Sequence, residues 1–174
     1  MALPEFQPVN SSDMRRSMGH FVTGVAVVST GSSQENWCGM TISSLTSISL
    51  DPAVLMISLT HGSRTTDAIE EAGAFTVSVL SSRQEAVARH FATRGGSRYE
   101  EIEHDLGEFG MPLIKNSLVQ GECRLRDTTV IGDHTVVFGD VVNLRFRDGT
   151  GLLFNAGRFG DFHDFGHDQI PWWF

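Results

Sequence analysis

Hydrophobic and β-branched residues recur in short runs along most of the chain, and glycine, proline or small polar residues separate the runs. The run FVTGVAVVST (21–30) ends at the polar stretch GSSQEN, which is typical of a strand followed by a hairpin loop. Residues 37–59 predict two or three strands, with Asp51-Pro52 as an interruption. FTVSVL (75–80) alternates as a further strand.

Three more runs fill the last third of the chain, at 118–129, 134–146 and 151–159. Turn-forming residues separate them at 131–133 and 147–149. Strands spaced this closely, with only short helices between them, favour a closed or nearly closed antiparallel barrel over a parallel α/β sheet.

Three short helices are predicted, at residues 11–19, 63–73 and 83–92. Ser63 and Gly73 are suited to begin and end the second helix. Ser82 and Glu85 have the spacing of a capping box at the start of the third. The intervening segment 94–110 has glycine at both ends and many charges, which predicts a surface excursion.

No internal repeat or linker divides the sequence, so we predict one domain over residues 1–174. It has a short N-terminal extension of about residues 1–12 and a C-terminal tail of about residues 160–174. The tail ends in the apolar sequence IPWWF (170–174), which is suited to cover a neighbouring subunit or to pack on its own barrel.

Composition narrows the classes of function. Thirteen Lys and Arg against 21 Asp and Glu give a net charge of −8, which argues against nucleic acid or an anionic membrane surface as the main partner. Cys38 and Cys123 are the only cysteines, so neither a disulfide framework nor a zinc site is expected. The sequence has no apolar run of membrane-spanning length, and a cytoplasmic protein is expected.

The densest polar cluster is GMTISSLTSIS (39–49), where hydroxyl side chains recur within an otherwise apolar segment. One interpretation places these residues on the solvent face of an edge strand. The other is that a backbone free of large side chains runs beside a planar polar ligand and offers its N–H and C=O groups to the edge of that ligand. The residues alone leave both interpretations open.

Two further segments have the chemistry of a binding site. Ser63-Arg64-Thr65-Thr66 stands where a loop enters a helix, so backbone N–H groups, hydroxyls and a guanidinium can converge on one anion, although an ordinary helix cap has the same sequence. A second candidate anion site, with weaker support, consists of the basic residues Arg89, His90 and Arg94.

The triplet Gly132-Asp133-His134 follows a predicted turn, and its histidine is the first residue of the next predicted strand. This position places an imidazole at the rim of the barrel. It is suited to contact a nicotinamide or move a proton, although a single histidine is often structural. The sequence contains neither GxGxxG nor GxxxxGK[ST], which excludes a Rossmann dinucleotide site and a P-loop. It has no GxSxG elbow either.

Four segments resemble the short-chain flavin reductases of two-component flavin-dependent monooxygenases. They are MGHFVTGVAVVST (18–30), GMTISSLTSISLDPAVLMISL (39–59), FTVSVLSSRQEAVARHFA (75–92) and GDHTVVFGDVVNLRF (132–146). A weaker fifth segment, GLLFNAGRF, follows at 151–159. The resemblance implies a mainly β fold, the antiparallel FMN-binding split β-barrel of Greek-key type, with a few short helices.

The resemblance also implies site residues. Those expected along the isoalloxazine ring are Thr41, Ser43 and Ser44. Ser47 and Ser49 are expected beside the ribityl chain or the phosphate. The phosphate itself is expected at Ser63, Arg64 and Thr65. Arg89 and Phe91 correspond to positions near the phosphate end of the flavin. His134, Arg158 and Phe159 correspond to the nicotinamide side. Phe159 stands where the family commonly has Tyr, and Leu45 where it often has Phe.

The implied activity is an NAD(P)H-dependent reduction of FAD or FMN, in which hydride passes from the nicotinamide to the flavin without a nucleophilic side chain. The resemblance further implies a homodimer and a monooxygenase component that receives the reduced flavin. Two alternatives on the same fold remain open: a flavin- or haem-binding carrier or sensor without turnover, and an oxidase of the pyridoxamine-phosphate type. The sequence does not separate FAD from FMN or NADH from NADPH.

Overall fold

A computed structural model describes residues 5–93, 99–164 and 166. Within those residues the chain forms three α-helices, one 3₁₀ turn at Tyr99–Glu101 and twelve strands. The helices are α1 (Ser11–Met18), α2 (Arg64–Ala72) and α3 (Glu85–Ala92). The strands are β1 (Thr23–Gly24), β2 (Ala26–Thr30), β3 (Cys38–Ile42), β4 (Thr46–Leu50), β5 (Ala53–Thr60), β6 (Ala74–Val79), β7 (His104–Leu106), β8 (Pro112–Ile114), β9 (Val119–Ile131), β10 (His134–Phe146), β11 (Leu153–Asn155) and β12 (Arg158–Gly160).

Seven strands form the main sheet in the order β3-β2-β6-β9-β10-β5-β4. Every pairing among the described residues is antiparallel, as the sequence predicts. The predicted single strand at 151–159 is wrong, because Ala156 and Gly157 have positive φ angles of 48° and 83° and reverse the chain between β11 and β12. This hairpin joins β1 in a small second sheet.

The inner face of the main sheet encloses one apolar core. Val28, Ile57, Phe75 and Val137 come from four different strands and are fully buried in the same cluster. Residues from strands this far apart in the sheet order meet only if the sheet curls around them. The result is a barrel that is nearly, but not fully, closed.

A second apolar cluster covers the outer face of β2 and β6. It joins Val27 and Leu80 to Phe91 of α3, Tyr99 of the 3₁₀ turn and Ile114 of β8. The sequence predicts only a surface excursion at 94–110, and this is corrected for the described part: Tyr99 is 5 % exposed and the β7–β8 hairpin packs on the sheet. Apolar residues at wide spacing carry this packing, so local periodicity gives no sign of it.

The helices differ in how their amino ends are capped. Ser63 caps α2 as predicted, accepting from the backbone N–H of Thr66, and Gly73 ends it in the left-handed conformation. The capping box predicted for α3 is wrong, because the helix begins after Gln84 with no side-chain cap. The Gln84 amide accepts instead from the backbone N–H of Ser81 and donates to the carbonyl of Lys115. No helix in the described ranges has the length and apolar character needed to cross a membrane.

Candidate functional site

The barrel is split between β3 and β5. In the described part of the chain, β3 pairs only with β2 and so lies at one end of the main sheet. Just beyond β3, the Ser44 hydroxyl donates to the carbonyl of Ser58 in β5 (2.8 Å) and accepts from its N–H (3.0 Å). The Ser44 side chain therefore makes the hydrogen bonds to Ser58 that a neighbouring strand would otherwise make. We call the gap between β3 and β5 the split.

The edge of β3 that faces away from β2 is the side of this strand open to a ligand. Gly39, Met40 and Thr41 are half-buried there, between the buried ends Cys38 and Ile42. The Thr41 hydroxyl donates to the carbonyl of Ala88 in α3 (2.7 Å), so it is committed to the protein. Backbone groups, rather than the predicted hydroxyls of Thr41 and Ser44, are therefore what this edge offers to a ligand.

A largely apolar cavity of about 370 Å³ adjoins Ser43, which is exposed. Its walls include Phe21, Thr23, Leu45 and Val79. Apolar walls with a few polar groups at the edge suit a planar heteroaromatic ligand.

Ser47 and Ser49 lie on β4, which is the other end strand of the main sheet. Ser47 is exposed and Ser49 is half-buried, and the neighbouring Ile48 and Leu50 are also exposed. β4 is therefore an edge strand, as the first interpretation expects, and contact of Ser47 and Ser49 with a flavin stays a prediction.

The predicted anion seat lies at the amino end of α2. The Ser63 hydroxyl is bonded to the Thr66 hydroxyl (2.8 Å), and Thr65 is 4 % exposed. Arg64 is exposed, and its carbonyl lies 4.0 Å from the Cys38 sulfur at the start of β3. Because Ser63 and Thr65 are engaged or buried, capture of an anion here falls to Arg64 and the backbone N–H groups.

His134 opens β10 and pairs with Thr60, the last residue of β5. Its Nδ1 lies 2.8 Å from the Asp133 carboxylate, and this hydrogen bond lowers the pKa of Asp133. Since a carboxylate only accepts, the shared proton sits on Nδ1 and the other ring nitrogen is left for a ligand. The N–H of His61 donates to the carbonyl of Asp133 (3.0 Å), which ties the histidine turn to the loop before α2.

Arg89, Phe91 and Phe159 meet around α3. The Arg89 guanidinium lies 5.1 Å from the ring centroid of Phe159 and pairs with Glu85 at 2.6 Å. Phe91 is buried against Gly39 of β3. Arg89 was predicted near the flavin phosphate and Phe159 on the nicotinamide side, and the structure brings the two residues into contact. Arg158 is exposed on the β11–β12 hairpin. Arg94 and the tail at 170–174 lie outside the described residues.

Two residues that no sequence pattern singled out support this site. Tyr99 donates from its hydroxyl to the carbonyl of Cys38 (3.3 Å) and so holds the start of β3. His61 bonds through Nδ1 to the buried hydroxyl of Thr135 (2.9 Å). The one available signal was Gly39, because a glycine inside a strand often marks a close approach by another group.

Comparison with known proteins gives consistent results. A family model described as flavin reductase like domain matches residues 18–163. The FMN reductase (NADH) SmoA of Agrobacterium fabrum is 37 % identical over 153 residues, which are 88 % of this chain and 87 % of that protein.

Two solved structures superpose closely. The NADH:FAD oxidoreductase SgcE6 of Streptomyces globisporus, in complex with NAD and FAD fragments, has a TM-score of 0.85 and 34 % identity, covering 93 % of this chain and 100 % of that one. BorF, the flavin reductase component of a bacterial two-component tryptophan halogenase, has a TM-score of 0.83 and 30 % identity, covering 89 % and 99 %.

Proposed function

The chain belongs to the flavin reductase family, and from this premise we propose that it transfers hydride from NADH or NADPH to FAD or FMN at the split between β3 and β5. The main observation in support is the edge of β3 that faces away from β2, which pairs with no other strand in the described part of the chain. An apolar cavity adjoins the end of β3 at Ser43, the start of β3 at Cys38 contacts Arg64 of α2, and the loop before α2 is hydrogen-bonded to the turn that carries His134.

The residues at the split fit a flavin. The isoalloxazine ring is flat and has a polar edge, and β3 offers half-buried backbone groups at Gly39–Thr41. The cavity at Ser43 and Leu45 gives the apolar part of the ring a place to pack. The Arg64 guanidinium and the backbone N–H groups at the amino end of α2 offer positive charge to a flavin phosphate.

When bound, the flavin supplies the redox chemistry by accepting hydride from the reduced nicotinamide. The contribution of this chain is position. Thr41 fixes β3 to α3, Tyr99 fixes it to the 3₁₀ turn, and Phe91 closes the outer side of the strand to water. His134, held by Asp133, orients the nicotinamide from the opposite side of the split. No nucleophilic side chain takes part.

The deciding experiment is anaerobic. Purified protein is mixed with FAD or FMN, NADH or NADPH is added, and the loss of visible flavin absorbance is followed. Rapid bleaching that saturates with flavin supports the reductase and selects both cofactors. A bound flavin that stays oxidised with every pairing rejects the reductase and favours a carrier or sensor on the same fold.

We also propose that reduced flavin leaves this protein for a monooxygenase component. The similarity to BorF supports this, since that protein is the reductase component of a two-component system. The proposed site also lacks a deep enclosure, because the split and the Ser43 cavity open to the surface. Adding cytochrome c as a trap tests release: its reduction at the rate of NADH consumption supports transfer, and slow reduction with fast flavin bleaching contradicts it.

We propose a homodimer. The long β9 and β10 strands carry exposed apolar side chains, including Val130 (56 %), Ile131 (63 %), Leu144 (60 %) and Phe146 (77 %). Apolar exposure on this scale marks surfaces that a partner covers. Sedimentation at micromolar concentration tests the proposal. A mass of twice the chain's 19.1 kDa, reduced to one chain by Phe146→Asp, is expected, whereas a wild-type monomer overturns it.

We propose that the protein acts in the cytoplasm, where reduced pyridine nucleotides are supplied. Cys38 and Cys123 are both free and buried, as in proteins that fold in a reducing compartment. Cell fractionation with an antibody against the chain tests this, and recovery in an exported fraction contradicts it.

A further inference from the structure

The turn that joins β5 to α2 lies between the phosphate side and the nicotinamide side of the proposed site. A hydrogen bond from the N–H of Ser63 to the carbonyl of Thr60 (3.2 Å) closes this turn. Gly62 has a φ of 65°, which suits the sharp reversal at its position. The proposed phosphate seat begins at Ser63, and Thr60 pairs with His134 across β5 and β10. Only His61 and Gly62 therefore separate the two sides along the chain.

The first turn of α2 is hydrogen-bonded to the end of β5. The Thr66 hydroxyl donates to the carbonyl of Thr60 (3.1 Å) and is also bonded to the hydroxyl of Ser63 (2.8 Å). Thr66 is 2 % exposed, so water has little access to compete for these bonds. The carbonyl of Thr60 thus accepts two hydrogen bonds from the start of the helix, which hold the amino end of α2 to the last residue of β5.

His61 binds the residues on both sides of His134. Its backbone N–H donates to the carbonyl of Asp133 (3.0 Å), and its Nδ1 is bonded to the hydroxyl of Thr135 (2.9 Å). Thr135 is 1 % exposed, so loss of His61 would leave a buried hydroxyl without this partner. A hydroxyl both donates and accepts, and the bond to Nδ1 therefore survives a change of tautomer. One residue thus joins the turn at His134 to the turn before α2.

We infer that His61 is a positioning residue that couples the phosphate seat of α2 to His134, so that a phosphate in the seat speeds hydride transfer. The inference rests on the proposed function, because it concerns the same flavin and nicotinamide sites. A phosphate bound by Arg64 and the N–H groups of α2 steadies the first turn of the helix. The hydrogen bonds of Thr60 and His61 transmit this restraint to the turn at His134. Binding energy from a part of the flavin that does not react then orients the group that contacts the nicotinamide.

Riboflavin, which lacks the phosphate, is the probe that separates the two sides of the site. Anaerobic stopped-flow absorbance gives the rate constants for reduction of FMN and of riboflavin, with flavin and reduced nicotinamide nucleotide both saturating. The wild type is expected to reduce FMN about tenfold or more faster than riboflavin, and His61→Ala is expected to lower this ratio to about twofold or less. His61→Asn places an amide near the position of Nδ1 and is expected to restore most of the ratio, whereas the longer side chain in His61→Gln is not.

His163→Ala, which changes an exposed histidine on the C-terminal side of β12, is the matched control and is expected to keep the wild-type ratio. Thr135→Val removes the other partner of the Nδ1 hydrogen bond and gives a second reading if His61→Ala does not fold. A wild-type ratio near one overturns the inference. A ratio that stays at the wild-type value in His61→Ala or Thr135→Val, even if both rate constants fall, also overturns it, because the histidine is then merely structural.

A measurement without NADH or NADPH separates this inference from the proposed function. In nitrogen-15 NMR spectra of the wild type, saturating FMN is expected to shift the ring signals of His134 more than saturating riboflavin does. In His61→Ala the two flavins are expected to give equal shifts. Equal shifts in the wild type overturn the coupling. A protein in which FMN alone shifts His134, but whose flavin is not reduced by NADH or NADPH, instead rejects the proposed function and leaves the coupling standing.

Discussion

The hydroxyl of Ser44 makes both hydrogen bonds that a paired strand would give to Ser58, donating to its carbonyl and accepting from its N–H. Ser58 pairs with β10 on one side and follows the part of β5 that pairs with β4, so no strand pairs with it on the side of Ser44. Ser44 thus satisfies the backbone at the split while leaving β3 and β5 unjoined on either side. One side chain therefore satisfies the backbone at the gap where the flavin is proposed to bind.

Ser44→Ala is expected to lower the free energy of unfolding by about 1–3 kcal/mol, because it leaves the N–H and the carbonyl of Ser58 without partners. Urea unfolding followed by circular dichroism measures the change. Ser47→Ala removes an exposed hydroxyl from β4 and is the control, with no loss expected. Equal stability of the two variants would show that water replaces Ser44.

Gly39→Ala is expected to weaken both the fold and flavin binding. A Cβ at this position would overlap the Tyr99 hydroxyl and lie 3.1 Å from the ring of Phe91, so α3 and the 3₁₀ turn must move away from β3. The melting temperature and the flavin dissociation constant report the two effects.

Gly160→Ala on β12, where a Cβ meets nothing within 4 Å, is the matched control for the glycine change. Adding Tyr99→Phe to Gly39→Ala removes the overlapping atom and is expected to recover part of the stability. No recovery in the double variant would mean that the strand, and not Tyr99, resists the added methyl group.

His134→Ala is expected to slow anaerobic flavin reduction by about tenfold or more, because the nicotinamide loses an orienting group, while flavin affinity stays within about twofold. Stopped-flow absorbance and a flavin titration give the two values. His163, which faces Asp161 in an exposed pair at 3.4 Å, is the matched control, and His163→Ala should be silent. Wild-type reduction by His134→Ala with unchanged nucleotide dependence contradicts the role of His134.

Stability is expected to fall as the pH rises above about 9. Burial raises the pKa of the Cys123 thiol from 9.0 to about 12, so the fold favours the neutral thiol. That preference is fully present below pH 9 and is lost as the pH climbs towards 12, by about 1.4 kcal/mol for each unit. Urea unfolding at pH 8, 9 and 10 measures the slope. Cys123→Ala should flatten it, and an unchanged slope would assign the effect to other groups such as Cys38.

Local sequence was sufficient for most elements of the fold. The alternation of 75–80 gives β6, and the glycine at 132 separates β9 from β10 where it was expected. Ser63 and Gly73 bracket α2, because helix capping depends on residues within one turn. The α3 capping box failed for the opposite reason: Gln84 finds better partners in Ser81 and in the distant Lys115.

The candidate site residues were predicted from the resemblance to flavin reductases. Their contacts and distances, however, are seen only in the folded structure. Thr41 and Ser44 came from a polar pattern, but only the structure shows that their hydroxyls are bonded to Ala88 and Ser58. Tyr99 lies sixty-one positions from its acceptor at Cys38, a separation at which no periodicity carries information.

By itself, the sequence determined most strands of the main sheet, the three short helices and the family, because these follow from near-neighbour propensities and from motifs that are continuous along the chain. It did not determine β7, β8 or the reversal between β11 and β12. Only the tertiary structure decided which edge of β3 stays open, where Tyr99 docks and that Arg64 borders a cavity along α2. The reason is physical: an open edge and a cavity are defined by what segments far apart in sequence leave uncovered, and this depends on how the whole sheet curls.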